Sequence, residues 1–279
     1  MRLFLLPIST RRTLLYCQKL QPLPQDKLSL SDKAIARAAK LWAEWEKRER
    51  GWQKTVVNYG NKALRRIPYE EWGLKSVPSL SARRKKEEIL GKEKNFLIFP
   101  ESIIPSEQAS QVLHTLATER ESLHRSKMWW SFVGMPLCAP FALVPIIPNL
   151  PFFYLVFRAW SHYRALAGGK HIQWLLSNKF FTLSPSKVLD SVYPTRLSSY
   201  LSHNSKLLEP SSKTNTTPPD EEKMLLTQES GLQLVQFLDI PELEVEVERA
   251  IWQVETSIQQ EQARDKASST DTRTPPDEK

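Results

Sequence analysis

The sequence predicts a mainly α-helical protein, in which long amphipathic helices flank a proline-rich apolar membrane hairpin and a disordered linker and tail follow. Three observations predict this fold class. Apolar residues recur at steps of three and four in two separate stretches, as on one face of a helix. The thirty residues from 128 to 157 have no formal charge. Segments rich in Ser, Thr and Pro, a composition typical of disorder, lie nearer the carboxyl end.

The composition limits the class of partner. The 279 residues carry a formal charge of +8 with a pI near 9.4, which favours a nucleic acid, an anionic lipid surface or an acidic protein as partner. Prolines outnumber glycines by 20 to 8, so many helix breaks are expected. Two cysteines, Cys17 and Cys138, are too few for a disulfide framework or a metal cage. No cofactor or metal is expected.

Residues 1–30 have the composition of a mitochondrial targeting segment. Arg2, Arg11, Arg12 and Lys19 supply positive charge, and no acidic residue precedes Asp26. An Arg-rich, acid-poor and partly amphipathic start is typical of a transit peptide. The alternative is an amphipathic amino-terminal segment that is never cleaved.

Residues 31–127 form a basic amphipathic helical region. One helix is predicted over residues 31–67, where a helix-packing stripe of apolar residues follows the heptad pattern. Its aromatic members are Trp42, Trp45, Trp52 and Tyr59. The stripe could pack in a helix bundle, pair as a coiled coil or lie at a membrane interface. A second helix is predicted to begin near Ser106, after a short extended piece in NFLIF.

Residues 128–167 are predicted to form an apolar membrane hairpin. Its membrane turn is assigned to Pro145, Pro148, Asn149 and Pro151, because prolines at this spacing disfavour a helix. The arms, residues 129–144 and 152–167, are each about 24 Å long, less than the ~30 Å of a hydrocarbon core. Cations flank the run on both sides, which fits two ends on the same face of a membrane. A single kinked span and a proline-interrupted soluble core are the alternatives.

Residues flanking this run are candidates for contact with a membrane interface and anionic lipid, since aromatic rings and cations are typical of that position. They are Arg125, Lys127, Trp129, Trp130, Arg158, Trp160, Arg164 and Lys170.

The remaining chain is divided by composition. Residues 168–204 continue as an amphipathic helix with a break at Gly168 and Gly169, residues 205–238 are a linker, and residues 263–279 are a tail. Residues 239–262 are predicted to be an acidic helix, for which a strand is the alternative. The motif TPPDE occurs twice in the segments predicted to be disordered, which makes Thr217 and Thr274 candidate phosphorylation sites.

Sequence motifs of catalysis are absent, so the protein is not expected to be an enzyme. AGGKH lacks the upstream glycine and the following Ser or Thr of a phosphate-binding loop, and no nucleophile elbow or zinc-protease motif occurs. The five histidines are scattered. His162 and His171 have no carboxylate nearby in sequence, so both are interpreted as satisfied or interfacial residues.

Three segments together resemble the fungal mitochondrial potassium–proton exchange-related family. They are MRLFLLPISTRR, WEKRERGWQKTVVNYGNKALRRIPYEEWGLKSVP and PIIPNLPFFYLVFRAWSHYRALAGGKHIQ. The resemblance covers the chain to about residue 185 and resumes at IPELEVEVERAIWQVE. It implies association with the mitochondrial inner membrane and with formation of an active K⁺/H⁺ exchange system, and it supplies no catalytic residues.

The charge pattern predicts that the chain is not itself the exchanging pore. A protein that trades a cation for a proton usually carries an ionisable group at membrane depth. Between Glu121 and Asp190 the sequence has no carboxylate, and one from a polar segment elsewhere is not expected to join this cationic region. The predicted function is therefore an accessory or regulatory membrane subunit supporting mitochondrial potassium/proton exchange and cation homeostasis.

The alternative function is a membrane-anchored structural or assembly factor of the inner membrane that acts through lipid or protein partners. Expected partners are the inner membrane, with cardiolipin as the candidate lipid, other membrane proteins of the exchange system, and a second copy of the chain. A nucleic acid is not expected as a partner. The expected location is the mitochondrial inner membrane, with the termini facing the matrix.

Overall fold

The computed structural model describes residues 1–18, 30–91, 94–138, 140, 150–193 and 222–271. The chain divides into two compact units. Residues 19–68 form the smaller unit, and residues 1–18 form the larger one together with the chain from residue 69 onward.

The larger unit is built on a mixed sheet of four strands within the described residues, in the order β2-β1-β3-β4. The strands are β1 (Arg2–Pro7), β2 (Thr13–Gln18), β3 (Asn95–Phe99) and β4 (Phe181–Pro185). The β1 strand pairs antiparallel with β2 and parallel with β3, and β3 pairs parallel with β4. The β1 and β3 strands are central, and β1 is the more deeply buried of the two.

In the described part of the larger unit, the helices are α3 (Tyr69–Ser76), α4 (Ala82–Ile89), α5 (Ser106–Thr118), α6 (Glu121–Cys138), α7 (Leu150–Ser177), α8 (Lys187–Val192), α9 (Gln228–Leu238) and α10 (Glu244–Asp271). A 3₁₀ turn at Pro241–Leu243 leads into α10. The described helices of the smaller unit are α1 (Leu30–Glu46) and α2 (Trp52–Arg65).

Helices cover both faces of the sheet. Because successive residues of a strand point to opposite faces, Leu3 and Leu5 of β1 belong to a core formed with α3, α5 and α7. Phe4 and Leu6 belong to a second core formed with α8, α9 and α10. The fold is therefore a three-layer arrangement in which the sheet is sandwiched between helices.

The segment predicted to be a targeting sequence forms two strands of this sheet. Leu3, Leu5 and Leu6 are completely buried. A strand buried on both faces reads as a continuous apolar run without alternation. The apolar run RLFLLP thus has a structural role in the core, whatever its part in targeting.

The helix predicted over residues 31–67 is interrupted in the structure. Its two halves, α1 and α2, are separated by residues 47–51 and form a helical hairpin. Gly51 begins α2 with a φ of 115°, a backbone conformation that glycine adopts readily. Trp45 and Trp52 meet edge to face across the turn, with ring centroids 5.3 Å apart, so part of the predicted stripe packs within the unit.

The prediction of an apolar membrane hairpin is wrong. Among the residues that the structure describes, no helix combines the length and the hydrophobicity needed to cross a bilayer. The two helices that include the described ends of the uncharged run extend well beyond it, to Glu121 and to Ser177, so both include charged residues. The fold class is a helical protein with a mixed sheet, and not helices around a membrane hairpin.

The predicted break at Gly168 and Gly169 is also wrong, because α7 continues through both residues. A Cβ at position 168 would lie 2.0 Å from the carbonyl oxygen of Leu74, and one at position 169 would lie 2.8 Å from that of Ala117. The two glycines thus let α3 and α5 approach α7 closely. Packing against α3 and α5 therefore explains why two adjacent glycines occur within a continuous helix.

Regular structure also extends into the segments predicted to be a linker and a tail. The α9 helix occupies the carboxyl end of the predicted linker, and a capping box between Thr227 and Ser230 begins it. The α10 helix continues to Asp271, past the start of the predicted tail. Residues 205–221 and 272–279 lie outside the described residues.

Candidate functional site

A cluster of ionisable side chains is buried where α3, α6 and α7 meet. It consists of Glu71 from α3, His124 from α6, and Arg158, Ser161 and His162 from α7; we name it the buried charge cluster. Glu71, His124, Ser161 and His162 are each at most 2% exposed. Charged residues are rarely buried this deeply unless they are paired.

Helix geometry brings the three α7 residues together. Arg158, Ser161 and His162 have the spacing i, i+3, i+4, which places them on one face of a helix. This face is turned toward α3, where Glu71 lies in the first turn. The contact therefore joins residues 87 to 90 positions apart in the chain.

The Glu71 carboxylate is the acceptor at the centre of the cluster. Arg158 donates to it with both terminal nitrogens, Nη1 to Oε1 at 2.9 Å and Nη2 to Oε2 at 3.1 Å. Ser161 donates a further hydrogen bond to Oε1. Burial raises the pKa of Glu71, but the bond from Ser161 and the charge of Arg158 outweigh it, so the pKa lies below its usual value.

The two histidines are neutral and face each other. Their Nδ1 atoms are 3.1 Å apart. Burial is the largest influence on both groups, and it lowers the pKa of His162 to about 4 and lowers that of His124. The Arg158 charge acts in the same direction on both.

Hydrogen-bond complementarity assigns the tautomers. Arg158 Nη2 lies 3.0 Å from His162 Nε2, and because a guanidinium only donates, this Nε2 must be the acceptor. The His162 proton is therefore on Nδ1, from which it is donated to Nδ1 of His124. The His124 proton is then on Nε2, a buried atom with no hydrogen-bond partner within the described part of the chain.

This tautomer disfavours a metal ion. In the described residues, Glu71, His124 and His162 are the group whose ligand atoms lie within 4.8 Å of one another. A metal bound through His162 Nδ1 would require the ring proton on Nε2, directly opposite an N–H of Arg158. The guanidinium charge beside Glu71 would also repel a cation. The hydrogen bonds and the charge of the cluster therefore fit an arrangement without a metal ion.

A buried lysine lies next to the cluster on α3. The Lys75 Nζ is 3.5 Å from the centre of the Trp72 ring, and the rings of Phe157 and Trp160 are 5.4 and 5.7 Å away. Nζ has no hydrogen-bond partner among the described residues. Burial lowers the pKa of Lys75 to about 8, although the charge of Glu71 opposes this. The aromatic rings thus replace water as the surroundings of the ammonium group.

A second feature is the outer surface of α6 and α7. The helices run antiparallel, because His124 lies opposite His162 and Gly134 lies against Leu155. Their outward side chains form what we name the aromatic surface: Trp129, Trp130, Phe132, Val133, Leu137, Phe153, Tyr154, Val156 and Tyr163. Exposed apolar patches of this kind mark interaction sites.

The family model for "mitochondrial K⁺-H⁺ exchange-related" proteins matches residues 2–176 of this chain. The chain belongs to this family. The match confirms the resemblance noted in the sequence. The name of the family relates the protein to mitochondria and to K⁺–H⁺ exchange. The matched region of this exchange-related family contains the whole buried charge cluster and the aromatic surface, and it ends one residue before α7 does.

Two fungal proteins that are similar to this chain extend the comparison. A Schizosaccharomyces pombe protein described as uncharacterized is 29% identical over 192 residues, which cover 68% of this chain and 81% of the relative. A Saccharomyces cerevisiae protein, also described as uncharacterized, is 25% identical over 274 residues, covering 89% of this chain and 82% of the relative. No solved structure matches the chain.

The residues predicted to contact a membrane interface separate into two groups. Trp129, Trp130, Arg125, Lys127 and Lys170 are exposed, and Arg164 is half-buried. Arg125 pairs with Glu121 on the same helix at 2.6 Å.

Arg158 and Trp160 are directed inward. The Arg158 side chain is 12% exposed and binds Glu71, and Trp160 lies near Lys75. The expectation that no carboxylate joins this cationic segment is therefore not met, because Glu71 of α3 does. Arg158 neutralises it.

Other predicted site residues are placed as follows. Pro151 lies exposed in the first turn of α7, Trp42 donates to Asn61 at 3.2 Å, and Tyr59 is exposed. Pro145, Pro148, Asn149, Thr217 and Thr274 lie outside the described residues.

Sequence reasoning missed Glu71, His124 and Lys75 as members of a site. The spacing of Arg158, Ser161 and His162 was the available signal, since a charged, polar and titratable face on a helix at the end of an uncharged run requires partners. Nothing in the sequence identifies those partners, because they lie on other helices.

Proposed function

We propose that this protein is a non-conducting accessory subunit that supports K⁺/H⁺ exchange from the matrix side of the mitochondrial inner membrane. The observation that carries the proposal is the aromatic surface of α6 and α7, which is exposed and lies beside cations. Membership of the exchange-related family supports the link to exchange, and the charge pairing in the interior supports the non-conducting role.

The proposed occupant of the aromatic surface is the anionic headgroup layer of the membrane. Trp129 and Trp130 are 63% and 70% exposed, and Leu137 is 74% exposed. Trp and Tyr rings prefer the membrane–water interface, where one part is apolar and the other is wet. The aromatic side chains of this surface are thus proposed to supply the apolar part of a peripheral contact with the membrane.

Charge complementarity selects an anionic lipid. Exposed Arg125 and Lys127 lie within one turn of Trp129, and Lys170 is exposed toward the same end of the antiparallel pair. Each cation near an anionic membrane surface contributes about 1 kcal/mol to binding. Cardiolipin, with two phosphates, is the lipid of the inner membrane that fits this arrangement best.

A conducting role is disfavoured by the interior. Glu71, the carboxylate that meets the cationic helix α7, has both oxygens bound by Arg158 and one also by Ser161. A carboxylate that exchanges K⁺ for a proton must release its partner at each cycle, and a bidentate guanidinium is a poor group to release. The protein is therefore proposed to act on an exchanger made by another chain.

Vesicle flotation tests the membrane contact. We expect the purified protein to bind vesicles that contain cardiolipin and not vesicles of phosphatidylcholine alone, and Trp129→Ala with Trp130→Ala to reduce binding by at least about tenfold. Trp252→Ala is the control, because Trp252 is also well exposed, at 53%, but lies on α10. Equal binding by both variants would contradict the assignment of this surface.

Ion flux tests the function. Mitochondria that lack the protein should lose K⁺-dependent proton flux, and the wild-type chain should restore it while the double Trp variant should not. Normal flux together with a defect in complex assembly would instead favour the structural or assembly role.

A further inference from the structure

The facing histidines couple α6 to α7 through a hydrogen bond that depends on a single proton. We propose that the His124–His162 pair is a proton-sensitive latch, which holds α6 against α7 while both rings are neutral and releases α6 when either ring binds a further proton. This inference concerns the protein alone and does not rest on the proposed function.

Hydrogen-bond geometry leaves no satisfied place for an added proton. Protonation of His124 at Nδ1 would place two N–H donors opposite each other across 3.1 Å. Protonation of His162 at Nε2 would place an N–H opposite the Arg158 Nη2 donor at 3.0 Å. Either event replaces an attractive contact by a repulsive one, because an imidazolium is a donor at both nitrogens.

The surrounding charges act in both directions, because Glu71, whose Oε2 lies 3.7 Å from His162 Nδ1, raises the pKa of both histidines while the neighbouring cations lower it. The groups that face the pair are Glu71 from α3, Arg158 from α7, Lys127 from α6 and Arg120 from the turn before α6. Three of these four are cations. Glu71 is already bound by Arg158 and Ser161, and Arg120 is paired with Glu70 at 2.6 Å. An imidazolium would therefore add positive charge to a site that already has an excess.

The direction of the pH effect follows from burial. The pKa of His162 is held to about 4 in the closed state and the pKa of His124 is lowered, whereas an exposed histidine titrates near 6.5. The closed state is fully favoured above pH ~6.5 and loses stability as the pH falls from there toward ~4. Acidification thus favours an open state in which both rings reach water.

The size of the effect follows from the same values. At pH 5, the titration of His162 between about 4 in the closed state and about 6.5 in the open state increases the open population about 30-fold, and the lowered pKa of His124 increases it further. Since α6 carries Trp129 and Trp130 on its outer face, its release would also divide the aromatic surface. A local proton-binding event would thereby alter the exposed face of the molecule.

Hydrogen exchange on the purified full chain, without membranes, tests the latch. After correction for intrinsic rates, the opening constant of residues 121–138 should rise by clearly more than about 30-fold from pH 7.5 to pH 5. His124→Asn should reduce that rise to about 30-fold, because the Asn oxygen accepts the His162 proton but does not titrate. His114→Asn is the control, since His114 is exposed on α5, and it should behave as wild type.

Protection of β1 must persist at pH 5 if the opening is local. The proposal is overturned if α6 opens only together with β1, or if His124→Asn leaves the pH dependence of α6 unchanged. Nitrogen NMR of the wild-type imidazole rings gives a second test that needs no variant. A His162 ring protonated on Nε2 at pH 7.5, and not on Nδ1, would overturn the proposal.

Discussion

Replacement of Glu71 by Gln should be severely destabilising, because it leaves the guanidinium of Arg158 buried without a counter-charge. The Arg158 side chain is 12% exposed and makes two hydrogen bonds to Glu71. Removal of one partner of a buried ion pair costs about 3–5 kcal/mol. The neutral amide keeps the size of Glu71 and one acceptor oxygen, so we expect a loss near the lower end of that range.

Glu70→Gln is the matched control for this prediction. Glu70 precedes Glu71 on the same helix and also pairs with an arginine, Arg120, but the side chains of that pair are 18% and 35% exposed. Solvent screening reduces the value of such a pair to about 0–1 kcal/mol. The two variants therefore differ in the burial of the pair and in the hydrogen bonds to the carboxylate, which are three at Glu71 and one at Glu70.

The assay is urea unfolding at pH 7.5 and 25 °C, with Arg158→Gln and the double variant completing a thermodynamic cycle. We expect a coupling free energy of at least about 2 kcal/mol between Glu71 and Arg158. Because the pKa of Glu71 is lowered in the fold, this contribution is present above the usual carboxyl pKa and is lost as the pH falls below it. Equal losses for Glu71→Gln and Glu70→Gln would refute the assignment of the cluster.

Two further substitutions test the packing around the cluster. Lys75→Met should stabilise the protein by about 1–3 kcal/mol at pH 7, because the lowered pKa of about 8 means that burial disfavours the charged form and the Trp72 ring offsets this only in part. In the wild-type protein, the free energy of unfolding should rise between pH 8 and 10.5. Urea unfolding of the wild type and of Lys75→Met would show whether the variant lacks this rise. Gly168→Ala should destabilise by about 1–3 kcal/mol or more, since its Cβ would meet the Leu74 backbone. Gly134→Ala, which meets only the end of a leucine side chain, should remain within about 1 kcal/mol of wild type, and equal thermal stability of the two alanine variants would contradict the close approach of α3 and α7.

Periodicity in the sequence was informative where an element is amphipathic and local. It indicated helical structure near the observed α1, α2, α5 and α10, although it could not show the turn at residues 47–51. Each of these elements reveals one apolar face through its spacing, because its other face meets water. The family resemblance, carried by long segments, was confirmed by the family match.

Two segments whose burial has no periodic signature were not recognised as parts of the folded core. The β1 strand is buried on both faces, so RLFLLP next to two arginines reads equally as a targeting segment and as a central strand. The uncharged run around α6 and α7 reads as a membrane segment, since the sequence does not show the polar groups that other helices bring to it. Glu71 lies 87 positions from Arg158, and no local pattern links the two.

The central claim, an accessory role without conduction, is tested most directly by an add-back flux measurement. Inner-membrane vesicles are prepared from cells that lack the protein, and K⁺-dependent proton flux is recorded before and after addition of the purified chain; liposomes that contain cardiolipin and only this chain are measured in parallel. We expect restored flux in the vesicles and none above background in the liposomes. A robust K⁺-dependent proton flux in the liposomes would contradict the account.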